Sequence, residues 1–164
     1  MRKRIETSVF LIGLLALAGC EKPADGGASK QQGANAAAAR TAAWVNPDLD
    51  PEQIRRGRQV FEANCQECHG PGGKGQGGDW RERRPNGMFP PPPLDDSAHA
   101  WHHPTAILKR SVRNGSPPGW GDMPAWEGKL TEAQIDDVVV YIKSLWSPEV
   151  YRHWTEIEKR SLEN

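Results

Sequence analysis

Apolar side chains recur at helical spacing in three stretches of the chain. In the first, Ile54, Gly57 and Phe61 fall on one side of a segment that opens with Asp50-Pro51-Glu52-Gln53. Asp50 suits the N-cap, Pro51 the first helical position, and Gln53 the reciprocal place of a capping box. Leu49 and Ile54 sit at the two staple positions, so a helix is predicted to run to about Asn64. The second stretch starts at Pro104, shows Ile107, Leu108 and Val112, and stops at Asn114-Gly115. The third begins with the capping box Thr131-Glu132-Ala133-Gln134, with Leu130 and Ile135 as its staple. Ile135, Val138, Val139, Ile142, Leu145 and Trp146 then form one apolar face. Glu132, Asp136 and Asp137 lie early and Lys143 late, matching the helix dipole. Beyond Pro148, Glu149 to Lys159 is a candidate short helix. No segment alternates as a strand does, and no repeat of roughly 20–50 residues occurs. The expected fold class is all-α.

Between these elements the pattern is loop. His69 to Gly78 is mostly Gly, and Pro90 to Pro93 is held extended by its ring constraints. Loops of that length in a small domain are expected to wrap something. The chain has 164 residues, of which only 37% are hydrophobic, so its helical part is short of core material. Its formal net charge is zero, which offers nucleic acid no electrostatic footprint.

The N-terminus accounts for part of this composition. Arg2, Lys3 and Arg4 precede a short apolar run, Val9 to Leu17, and small residues lead to Cys20. This reads as an export signal too short to span a bilayer comfortably. Leu17-Ala18-Gly19-Cys20 resembles a lipobox, which implies cleavage before Cys20 and lipid attachment to it. Residues 20–45, rich in Ala, Gly, Gln, Lys and Ser, are expected to be a flexible linker reaching about 25–30 Å. The expected organisation is a signal over 1–19, the linker over 20–45, a domain over 46–147 and a C-terminal extension over 148–164.

Chemistry enters with Cys65-Gln66-Glu67-Cys68-His69, the C-x-x-C-H pattern of covalent haem c attachment. Two thiols one helical turn apart can bond both vinyl groups of one haem, and the adjacent His then lies under the iron. A thioredoxin-like pair would need a βαβ context, and a zinc site would need a second close ligand pair. The chain has three cysteines, and with Cys20 assigned to lipid none remains for a disulfide. One covalent haem c, held by Cys65 and Cys68, is therefore expected.

From Asp50 to Trp146 the chain resembles the mono-haem class I cytochromes c, especially bacterial periplasmic ones. The likeness rests on Gly57 and Phe61, Cys65-x-x-Cys68-His69-Gly70 and Pro91-Pro92-Pro93-Leu94. It continues through Gly121-Asp122-Met123-Pro124-Ala125-Trp126 and Tyr141-Ile142-Lys143-Ser144-Leu145. The resemblance implies first and last helices crossing at Gly57, with Phe61 and Tyr141 packed there. It implies His69 as the proximal iron ligand and Met123 as the distal one. It also implies a proline-loop carbonyl accepting from His69. Met88 and a second histidine from His99, His102 or His103 are the competing distal ligands. Trp120 and Trp126 are expected to line the haem crevice.

The resulting expectation is a one-electron carrier, not an enzyme, tethered by lipid on the periplasmic side of the inner or outer membrane. It would be a monomer exchanging electrons with a dehydrogenase or a terminal oxidase or reductase. The alternatives are a haem enzyme or gas sensor with a displaceable sixth ligand, or an accessory cytochrome subunit of a larger oxidoreductase. His99, His102 and His103 also invite a metal site. The clusters Arg81, Arg83, Arg84 and Lys109, Arg110, Arg113 could steer an acidic partner or simply be solvated surface.

Overall fold

A computed structural model describes residues 46–163 of the chain. The signal over 1–19, Cys20 and the linker over 20–45 lie outside the described residues. Helix α1 is Pro51–Asn64, α2 is the single turn Gln66–His69, α3 is Thr105–Asn114, α4 is Glu132–Ser144 and α5 is Pro148–Leu162. Short 3-10 turns occupy Pro71–Gly73 and Ala100–His102. Among the described residues the only β-pairing is an isolated bridge between Glu127 and Leu130, so the fold is all-α as expected.

The helix starts form largely as their sequences dictate. The Asp50 carboxylate accepts from the Glu52 N–H at 3.0 Å, while Leu49 and Ile54 both reach the core. At α4 the capping box is complete: Thr131 and Gln134 satisfy each other's backbone N–H groups. Ser147 caps α5 by accepting from the Val150 N–H at 3.3 Å, ahead of Pro148. His99, His102 and His103 all precede the middle helix. Pro104 disfavours helical backbone at the residue before it, and His103 is extended at φ −107° and ψ 132°. The chain therefore turns once over Ala100–His102 and restarts as α3 after Pro104.

Helices α1 and α4 cross at Gly57. A Cβ added there would lie 1.9 Å from the Asp137 carbonyl oxygen and 2.8 Å from Tyr141 Cβ. Only a residue without a side chain permits this approach, which justifies the roughly 1 kcal/mol that Gly costs in a helix interior. The Phe61 and Tyr141 rings pack beside the crossing, 5.1 Å apart and tilted by 50°. Arg56 spans it, donating to both Asp137 oxygens at 2.9 and 3.1 Å. Ile135, Val138, Val139 and Trp146 are essentially sealed from solvent beneath it.

Helix α5 packs into this core. Trp154 is buried, and its indole N–H donates to the His103 carbonyl at 3.1 Å. The Lys143 ammonium sits 4.2 Å over the Trp154 ring and donates to the Thr105 hydroxyl at 2.7 Å. Burial lowers the Lys143 pKa to about 8, against the opposing pull of Glu158. Pro104 has no side-chain group to cap α3, and Glu158 of α5 accepts from the Thr105 N–H at 2.7 Å instead.

Candidate haem site

The attachment motif follows directly from the end of α1. Cys65 closes that helix, its N–H donating to the Phe61 carbonyl at 2.8 Å. The chain turns once more through α2, placing Cys65, Cys68 and His69 within a single turn. Both thiols are free. Cys65 is half-buried and packs against the core, and burial raises its thiol pKa to about 11. Cys68 is exposed.

His69 is oriented by the proline loop. Its Nδ1 lies 2.9 Å from the Pro92 carbonyl oxygen. A carbonyl can only accept, so Nδ1 carries the proton and Nε2 is left with its lone pair. Burial lowers the His69 pKa despite the contact with Pro92, favouring the neutral imidazole that a metal requires. The proline loop is itself fixed, because Leu94 N–H donates to the Gly73 carbonyl at 2.7 Å. Leu94 also accepts from the Trp146 indole at 2.9 Å, which ties the loop to the core.

The same loop leads to the segment that carries Met123. Phe89, three residues before Pro92, donates its N–H to the Trp120 carbonyl at 2.8 Å. Met123 is half-buried and packs against the core cluster, and its carbonyl accepts from the Ser116 N–H at 3.0 Å. This contact needs Gly115 at φ 71°, where a Cβ would come within 2.4 Å of the Met123 oxygen. Met88 is also half-buried, with its backbone in turn bonds to Asn86 and Arg84. Residues 88–94, all apolar and all half-buried, form neither helix nor strand.

These features fit a haem. Two unpaired thiols at the right spacing adjoin an imidazole whose free nitrogen is Nε2, and an apolar loop links that imidazole to a thioether-bearing segment. Cys65 and Cys68 are thus spaced for covalent attachment of a single haem c. Trp126 packs on the core, whereas Trp120 is 62% exposed with its ring 6.1 Å from Phe89. His99 stacks on Trp80 at 4.8 Å and meets His103 edge-on, and no cluster of three metal-ligating side chains occurs among the described residues.

Five of the six side chains in the two basic clusters are engaged within the chain. Arg81 pairs with Asp79 and Arg84 with Asp122, each at 3.5 Å. Arg83 binds backbone carbonyls, and Arg113 and Lys109 pair with Glu132 and Asp136 of α4.

The family model of cytochrome c oxidase, cbb3-type, subunit III matches residues 52–142, just over half of the chain. The chain belongs to that family. The match begins in α1 and ends in α4, so it contains the helix crossing, Cys65-x-x-Cys68-His69 and Met123. The oxidase subunit FixP of Bradyrhizobium diazoefficiens is 34% identical over 90 residues, covering 55% of this chain and 27% of that protein. CcoP of Azospirillum brasilense is 31% identical over 137 residues, 76% of this chain and 42% of that protein. Cytochrome c6 of Euglena viridis is 33% identical over 88 residues, 54% of this chain and 87% of that protein. The chain therefore spans only about a quarter of FixP but most of a cytochrome c6. The family refines the broader likeness to class I cytochromes c and bears out haem c as the cofactor.

Proposed function

We propose that this chain is an electron-transfer haem subunit working with a membrane-bound terminal oxidase. The observation that carries the reading is the family match, which spans the attachment motif together with the helices that position it. It favours the accessory-subunit role over an independent carrier and supports a carrier rather than a catalytic centre.

In this reading Cys65 and Cys68 hold the haem covalently, His69 is the proximal ligand and Met123 the distal one. When bound, the haem supplies a one-electron change at its iron. The Pro92 carbonyl accepts from His69 Nδ1, fixing the ring and raising the basicity of Nε2. The Met123 thioether is a soft ligand that favours reduced iron and leaves no position for substrate. The half-buried apolar run 88–94, with Phe61 and Leu145, would offer the haem an apolar lining that limits solvent reorganisation when charge moves.

Cys20 carries the lipid after removal of residues 1–19, and residues 20–45 tether the 46–147 domain on the periplasmic side. Helix α5, part of the 148–164 extension, stiffens the domain. No described helix is long and apolar enough to cross a membrane.

The cytochrome c6 likeness favours a second reading, because most of that protein consists of this same domain. A tethered monomer that diffuses between partners would then be the working form. Gentle detergent extraction of the full chain from its own membranes separates the two. Covalent haem of this chain is expected to migrate with a larger oxidase complex. Elution at the size of the lone chain would overturn the subunit role and leave the diffusing carrier.

A further inference from the structure

The Met123 segment is irregular. Residues 116–126 form no helix or strand. Ser116 donates to the Met123 carbonyl, and Trp126 donates to the Val112 and Arg113 carbonyls at 3.2 and 3.0 Å, which ties the segment to the end of α3. From the other side the principal side-chain tie is Arg83. Its Nη1 donates to the Gly87 carbonyl at 2.5 Å and to the Gly119 carbonyl at 2.8 Å, while the guanidinium lies 4.1 Å over the Phe89 ring. One planar group thereby joins two loops that lie 36 residues apart at its Gly119 contact. Its own loop is anchored by Trp80 stacking on His99, and a backbone bond from Phe89 to the Trp120 carbonyl also joins the two loops. The neighbouring Arg84 reaches Asp122, the residue before Met123.

We propose that Arg83 is a positioning residue that holds the Met123 segment in place for iron ligation, a role that rests on the His69/Met123 reading above. A guanidinium suits this work because the two N–H bonds of Nη1 are held in a fixed plane toward two carbonyl oxygens while the flat face stacks on an aromatic ring. Arg83 is exposed, so its loss frees the ligand segment while leaving the buried helix crossing intact.

The test uses the haem-loaded full chain and imidazole, which competes for the sixth position of ferric iron. Spectral titration gives the affinity, and thermal unfolding is followed in parallel. Arg83→Ala is expected to bind imidazole about five- to tenfold tighter than the parent, the equivalent of one or two lost hydrogen bonds. Arg83→Lys keeps the charge without the planar group stacked on Phe89 and is expected to fall between the two. Arg81→Ala removes a nearby charge that contacts only Asp79 and Trp80, and is expected to match the parent.

If the parent shows the weak far-red band of sulfur–iron ligation and both Arg83 variants bind imidazole as the parent does, the role is overturned. Arg83→Lys alone decides this where Arg83→Ala does not accumulate. An Arg81→Ala affinity equal to that of Arg83→Ala assigns the effect to charge and also overturns it. A parent without the far-red band removes Met123 ligation itself, and the positioning role falls with it.

Discussion

On the His69 side, helices do the holding. Cys65, Cys68 and His69 extend directly from α1, which is locked against α4 by backbone contact at Gly57 and by the Phe61–Tyr141 pair. On the Met123 side, loops do it. Residues 116–126 are positioned by a few backbone hydrogen bonds, by Gly115 and by Arg83. Damage to the first side should therefore appear as lost stability. Damage to the second should appear as a looser sixth ligand in a protein that still unfolds at nearly its normal temperature. The division suits an electron carrier, whose haem must never leave but whose distal ligand sets the redox character.

The strongest attempt to break this contrast is Gly57→Val. Its branched side chain would collide with the Asp137 backbone, which cannot yield without separating α1 from α4. A loss of about 4 kcal/mol or more in denaturant unfolding is expected. Trp154→Ala comes next and asks whether α5 belongs to the packed side. It empties a buried site and strands the His103 carbonyl, so a loss of about 3–4 kcal/mol is expected by thermal unfolding.

Lys143→Met sharpens the same point through pH. Burial lowers the Lys143 pKa to about 8, below its unfolded value. Between about pH 8 and the ordinary lysine range the folded protein thus holds fewer protons than the unfolded chain, and stability rises with pH. Relative to Lys143→Met, the parent should gain on the order of 2–3 kcal/mol across that window. Equal pH dependence in the two proteins would show that Lys143 is not buried as described. Smallest is Arg84→Ala, which breaks an exposed pair with Asp122 beside Met123 and should change unfolding by about 0.5 kcal/mol or less. A large loss there would mean that the loop side is as tightly coupled to the core as the helices are.

What could be read from sequence follows this same division. Asp50-Pro51, the Thr131/Gln134 box, Gly57 and Cys65-x-x-Cys68-His69 act through neighbours in sequence or through a single periodic face, so their spacing announces them. The Glu158 cap on Thr105, the Trp154 bond to His103 and the Arg83 bridge to Gly119 each join residues tens of positions apart, a side chain meeting a backbone atom. No periodicity records such contacts. Arg83 therefore looked like one member of a surface charge cluster, and α5 like an appendage. The specific proline that orients His69 was hidden for a related reason. Four consecutive prolines offer four similar carbonyls, and only the folded path selects Pro92.

The central claim is that one chain supplies both iron ligands, His69 from the helical side and Met123 from the loop side. Visible spectra of the haem-loaded full chain, parent and Met123→Ala, test it most directly. The parent is expected to show the weak far-red band when ferric and to bind no carbon monoxide when ferrous at neutral pH. The variant is expected to lose the band and to bind carbon monoxide. A parent that lacks the band, or a variant that keeps it, would contradict the account.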